Sequence, residues 1–163
     1  MRYFIEFAYK GTNYHGWQTQ PNAVTVQQTL DKALSVVLSC AIETLGAGRT
    51  DTGVHASQMF AHFDCDQKLD SDAIVYKLNS YLPSDIAIFK IIPVHFDAHA
   101  RFDAKKRTYK YHINTVKNPF SNEISWYQHN KPNVDLMNEA AKMLIGKRDF
   151  QSFSKVHTEV NNF

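Results

Sequence analysis

The sequence predicts an α+β fold, an antiparallel sheet with helices on one face, and three observations carry that prediction. Over roughly the first hundred residues, apolar periods of two and 3.6 follow one another as strand-helix-strand-strand-helix-strand. Helix-capping residues stand where the period changes. Gly- and Pro-bearing stretches separate the segments. This order is that of a ferredoxin-like split βαβ unit.

Each element follows from its own residues. Tyr3, Ile5, Phe7 and Tyr9 alternate with Phe4, Glu6 and Ala8, the pattern of a half-buried strand. A polar loop from Lys10 to Val24 carries Gly11, Gly16 and Pro21. Thr25 opens a helix, with Gln28 three residues on in a capping-box arrangement. Val26, Leu30, Ala33, Leu34, Val37 and Leu38 share one face of that helix. Ile42 to Ala47 reads as a short strand, and Gln58 to Cys65 as the next, with Met59, Ala61 and Phe63 on one side. Ser71 or Asp72 can cap a second helix using Ile74, Leu78, Tyr81 and Leu82, stopped by Pro83. Ile86 to Val94 is apolar enough for a central strand.

The character changes after Phe102. Lys105 to Asn114 begins basic and continues as an alternating strand, with Tyr109, Tyr111 and Ile113 on one face. Asn133 or Asp135 caps a last helix with Leu136, Ala140, Met143 and Leu144 inward, and Gly146 suits its C-terminal end. One strand and one helix cannot bury a core of their own. Residues 1–103 are therefore expected as the first domain, and 104–163 as the start of a similar second one, ending at Thr158 to Phe163.

Composition narrows the function classes. The chain has 163 residues, 44% of them hydrophobic, enough for a real core. Its net charge is only +2, so any footprint for nucleic acid must be local. Cys40 and Cys65 form no CxxC pair and read as buried free thiols in a reducing cytosol. The N-terminus reads as a strand rather than a leader, and no segment is long enough to span a bilayer. A cytoplasmic protein is expected. His95 and His99 lack a third ligand, so no metal site is expected.

Three constellations can carry chemistry. The first is Gly48-Arg49-Thr50-Asp51-Thr52-Gly53-Val54-His55-Ala56, a glycine-flanked connection between the second and third strands. It offers a carboxylate, Asp51, as nucleophile or base. The plain alternative is an Asp-Thr-Gly turn with a surface ion pair to Arg49. His55 either hydrogen-bonds within the loop or contacts phosphate.

The second constellation is Arg101, Lys105, Lys106, Arg107 and Lys110, interleaved with Phe102, Tyr109 and Tyr111. Cations contact phosphates and aromatics stack on exposed bases, which suits looped or single-stranded RNA. A solvated basic edge strand is the alternative. The third is the Tyr9 to Gln18 loop, with Lys10, Tyr14 and Trp17, which is either an RNA contact or a lid packed over the first domain.

These residues resemble one family. Gly48-Arg49-Thr50-Asp51-x-Gly53-Val54-His55-Ala56 is similar to the catalytic motif of the TruA-type tRNA pseudouridine synthases. So are Tyr9-x-Gly11-Thr12-x-Tyr14-x-Gly16-Trp17-Gln18-x-Gln20, Asn79-x-x-Leu82-Pro83-x-Asp85-Ile86 and Phe96-x-Ala98-x-Ala100-Arg101-Phe102, in the family's order. Tyr109-x-Tyr111 stands where the family carries its tyrosine strand.

The resemblance implies the pseudouridine synthase fold and a homodimer. It also implies a cofactor-free isomerisation of uridine at positions 38, 39 and 40 of the tRNA anticodon stem-loop. Asp51 is then the catalytic aspartate, attacking the base, attacking the sugar or removing a sugar proton. Arg49 pairs with Asp51 and helps occupy the place of the flipped nucleotide. Tyr109 stacks on the flipped uracil, and its hydroxyl can serve the later proton removal. Lys10, Gln18, His55, Arg101, Lys105, Lys106, Arg107 and Lys110 hold the RNA.

Family members continue through most of a second domain that lines the cleft. A protein truly ending at Phe163 is therefore expected to be weakly active or inactive. The competing readings are a non-catalytic RNA-binding module of the same fold, and a dimerisation fragment with no RNA role.

Overall fold

Tyr3, Ile5, Phe7 and Tyr9 are at most 4% exposed, while the residues between them are half-buried. A strand with this alternation needs a neighbour on each edge and a cover on one face. In the computed structural model, which describes residues 1–146 and 149–153, it has all three. The strand is β1 (Arg2–Tyr9), and it lies between β3 (Ala56–Asp64) and β4 (Ile86–Val94), antiparallel to both. β2 (Leu45–Gly46) adds to the outer edge of β3, giving the order β2-β3-β1-β4. This is the strand order of the expected split βαβ unit.

Two helices cover one face. α1 (Val26–Leu38) starts at Thr25, whose hydroxyl accepts the Gln28 N–H at 3.3 Å. α1 buries Val26, Leu30, Ala33, Leu34 and Leu38. α2 (Ser71–Tyr81) lies on β4 and touches α1. Met59, Ala61 and Phe63 from β3, with Ile86, Ile88 and Ile91 from β4, complete the core beneath them.

Local details differ from the sequence expectation, each for a physical reason. β3 begins at Ala56 rather than Gln58, because its pairing with β1 reaches Tyr9↔Ala56. The α2 cap is Asp70, whose carboxylate accepts the Ala73 N–H at 3.2 Å. Tyr81 is 48% exposed and takes no part in the core. Cys65 is buried, Cys40 half-buried, and both are free.

The chain divides into two compact units, the first Met1–Lys110 and the second beginning at Tyr111. The alternating strand expected over 105–114 shrinks to β5 (Ile113–Asn114), paired in parallel with β6 (Trp126–Tyr127). A strand persists only where a neighbour takes its backbone groups. Among the described residues no strand pairs with 104–111, and His112 gives only its carbonyl, to the Trp126 N–H. Within the second unit, Asn114 Nδ2 donates to the hydroxyls of Ser121 and Ser125.

α3 (Val134–Lys142) is capped by Asn133 as expected, and Gly146 has φ +78° just beyond its end. Its apolar face is not inward, however. Leu136, Met143 and Leu144 are 61%, 74% and 43% exposed, because nothing among the described residues covers them. The closing run 158–163 lies outside the described residues.

Candidate active site

The connection from β2 to β3 is pinned along its length. Ala47 N–H donates to the Phe60 carbonyl at 2.7 Å, tying the loop's first residue to β3. The Thr50 carbonyl accepts the Trp17 N–H at 3.1 Å, and Thr50 Oγ1 lies 2.8 Å from the Tyr9 hydroxyl. Gly53 N–H donates to the Tyr14 carbonyl at 3.2 Å, and Gly11 N–H donates to His55 Nδ1 at 2.9 Å. The turn itself closes from Val54 N–H to the Asp51 carbonyl, with Gly53 at φ +79°.

The Lys10–Gln18 loop is thus the frame of the Asp51 loop, which favours the lid reading of its aromatics. Tyr14 and Trp17 are buried at 4% and 3% exposure. The two chains run so close that only glycine fits at two positions. A side chain at Gly11 would strike the Val54 carbonyl oxygen, and one at Gly16 the Thr50 carbonyl oxygen.

Asp85 anchors the frame in turn. It accepts from the Tyr14 hydroxyl at 2.7 Å and from Asn13 Nδ2 at 3.2 Å, while its carbonyl accepts the Lys10 N–H. Burial, and then the Asp85 carboxylate, push the Tyr14 phenol well above its ordinary range. Asn79 makes a reciprocal pair with the Ile88 backbone at 2.8 Å, holding α2 to β4.

Asp51 stands out from this frame. It is exposed, and among the described residues nothing hydrogen-bonds or pairs with its carboxylate. The expected Arg49–Asp51 pair is not formed. Both side chains sit in water, where an ion pair gains about 0–1 kcal/mol and does not hold two side chains together. A carboxylate free on a rigid loop remains available to a ligand.

Tyr109 is 69% exposed and lies in the same unit. Burial pushes the Tyr9 phenol up, the Thr50 hydrogen bond draws it back, and the nearby Tyr109 phenol adds to the rise. Tyr109 therefore lies within electrostatic reach of the Tyr9–Thr50 pair that steadies the Asp51 loop.

The remaining predicted residues fall into two groups. Gln18, Arg101, Lys105, Lys106 and Lys110 are exposed, as is Lys10 beside Gly11. Arg101 lies 5.8 Å from the Phe102 ring centre. His55 and Arg107 are instead engaged with the fold. His55 Nδ1 takes the Gly11 N–H, and Arg107 donates to the carbonyls of Ala47 and Arg101.

The turn 95–103 beneath this segment is fixed on β1 and β3. Arg2 forks onto Asp64 at 2.9 and 2.7 Å and reaches the Ala98 carbonyl. The Arg2 guanidinium holds the Asp64 carboxyl below its usual range. His62, 6% exposed, accepts the Ala100 N–H, and burial lowers its affinity for a proton. His95 pairs with Asp97, and His99 stacks on Phe102 with ring centres 4.2 Å apart.

A family model described as tRNA pseudouridine synthase matches residues 6–103, the segment that holds the Asp51 loop and its frame. The chain belongs to the tRNA pseudouridine synthase family. Among curated relatives, the tRNA pseudouridine synthase A of Bacteroides fragilis is 54% identical over 160 residues, covering 98% of this chain and 64% of that protein. The protein of the same name from Bacteroides thetaiotaomicron is 53% identical, covering 98% and 59%. That from Thermoanaerobacter pseudethanolicus is 44% identical, covering 91% and 62%. The chain thus spans under two thirds of the length of these relatives.

The residues that carry the resemblance are largely frame residues. Tyr9, Gly11, Tyr14, Gly16 and Trp17 hold the loop that carries Asp51, Asp85 holds Tyr14, and Asn79 holds α2 to β4. Sequence reasoning missed the Tyr9–Thr50 and Tyr14–Asp85 contacts, for which no local spacing gives a signal. Among the described residues no cluster of His, Cys, Asp and Glu is placed to hold a metal ion. No helix among them is long and apolar enough to cross a membrane.

Proposed function

We propose that this chain carries the catalytic loop of an enzyme that isomerises uridine to pseudouridine in tRNA. The observation that carries the reading is Asp51, an unpartnered carboxylate on a loop held by Tyr9, Trp17, Tyr14 and Gly11. Preorganisation of this kind is what a reaction on a flipped base requires, since the base arrives from a stack and must meet a fixed group.

The isomerisation balances within the nucleotide. The C1′–N1 bond breaks, the uracil turns, a C1′–C5 bond forms, the C5 proton leaves to solvent or to a base, and the freed N1 takes up a proton. Asp51 assists by attack on the base, by attack on the sugar, or by taking a sugar proton. Tyr109 stacks on the displaced uracil, with its hydroxyl available for the C5 proton. Arg49, unpaired with Asp51, is available to fill the vacated place in the stem.

Lys10, Gln18, Arg101, Lys105, Lys106 and Lys110 contact the RNA backbone of the anticodon stem-loop around positions 38, 39 and 40. His55 and Arg107 serve the loop itself in this proposal. The region from residue 104 onward is the start of a second domain, and the working enzyme is a cytoplasmic homodimer, the latter readable by sedimentation equilibrium.

The test is tritium release from C5-labelled uridine in tRNA by the full-length protein. Asp51→Asn is expected to abolish release while leaving tRNA affinity within about threefold, since an exposed acid adds little to phosphate binding. Unchanged release by the variant would remove Asp51 from the reaction, and tRNA binding without release by the parent would move the protein to the RNA-binding module reading.

A further inference from the structure

Arg107 reads in the sequence as one more phosphate contact, but its guanidinium is turned to the protein. Nε and Nη2 both donate to the Ala47 carbonyl, at 3.1 and 2.6 Å, and Nη2 also donates to the Arg101 carbonyl at 2.7 Å. Ala47 is the first residue of the Asp51 loop, and its own N–H is taken by Phe60 of β3. Arg101 belongs to the turn that His62 and Arg2 fix on β3 and β1. Tyr109 follows Arg107 by two residues. One side chain therefore ties the stem of the Asp51 loop to the segment that delivers Tyr109.

We propose that Arg107 is a positioning residue for pseudouridine formation, setting the Asp51 loop and the Tyr109 segment in register rather than binding RNA. The inference rests on the catalytic reading of Asp51 given above. Only arginine suits the place. Two carbonyls from separate segments require a planar fork with donors at fixed angles, which a lysine ammonium does not present. The contact is exposed, so water can replace it without loss of the fold. What is lost is geometry, and a displacement of about 1 Å at a reacting group costs on the order of a hundredfold in rate.

The experiment uses the full-length protein with Arg107→Lys and Arg107→Gln. Single-turnover tritium release reports the chemical step, and tRNA affinity is titrated across salt. Both variants are expected to release tritium at least about tenfold more slowly than the parent, with affinity little changed. The dependence of log affinity on log salt is expected to keep its slope. A phosphate contact predicts the opposite. Arg107→Gln would then weaken binding and reduce the slope by about 0.7–0.9, and Arg107→Lys would restore both.

That pattern, or full-rate release by both variants, overturns the proposal. Loss of the melting transition in both variants overturns it as well, by assigning Arg107 to the fold. A parent protein that releases no tritium fails the catalytic reading itself, whereas an active parent with an unaffected Arg107→Lys fails only this inference.

Discussion

Asp51 and Asp31 make opposite use of a carboxylate. Asp51 is exposed with no partner among the described residues. Asp31 faces inward and accepts from both the N–H and the hydroxyl of Thr44, at 2.9 and 2.6 Å. Burial pushes its carboxyl up to about 6, against those two hydrogen bonds. The folded protein therefore holds this proton more tightly than the unfolded chain does. Between about pH 4 and pH 6 the unfolded chain binds fewer protons, so the contribution of Asp31 to stability falls as pH rises. Asp31→Asn keeps an acceptor oxygen for Thr44 and removes the ionisation. Urea unfolding is expected to find the variant more stable than the parent at neutral pH, with the gap closing toward about pH 4. A gap independent of pH would refute this account.

At the scale of elements, the informative unit is a loop against a loop. The Tyr9–Gln18 segment frames the Asp51 loop, with Tyr14 and Trp17 buried and three backbone groups on that loop. Gly16 has φ +82° and abuts the Thr50 carbonyl. Gly16→Ala is expected to cost about 1–3 kcal/mol in urea unfolding, from strain at that backbone position. It should also slow tritium release more than stability alone accounts for, because the displaced residue is next to Asp51.

The strands and helices of the first unit were legible in the sequence, since periods of two and 3.6 are local signals, except that the strand read over Ile42 to Ala47 is only Leu45–Gly46, where β3 pairs with it. β4 runs Ile86–Val94 as read, and α1 begins at its Thr25 cap. The 105–114 strand was not, because alternation describes a strand only when a partner exists to pair with it.

For the whole molecule, the two units differ in what they bury. The first, Met1–Lys110, contains the sheet, both covering helices and the contiguous core. The second, among its described residues, has two short strands and a helix that buries none of its side chains. A fragment of residues 1–110 is therefore expected to unfold cooperatively in urea, with a slope of about 1 kcal/mol/M. A fragment of residues 111–163 is expected to give no cooperative transition. A sharp transition in the second fragment, or none in the first, would show that the core is shared otherwise.

The sequence by itself determined the α+β order of the first unit, the glycine-flanked acid between its second and third strands, and the family. These are properties of neighbouring residues, and periodicity, capping and motif spacing record them directly. Only the tertiary structure decided which of these residues are engaged with the fold. Arg107 meets Ala47 across sixty positions of chain, Tyr9 meets Thr50 across forty-one, and Tyr14 meets Asp85 across seventy-one. A donor finds such an acceptor only after the sheet has assembled, so no local pattern distinguishes an arginine that grips a carbonyl from one that waits for a phosphate.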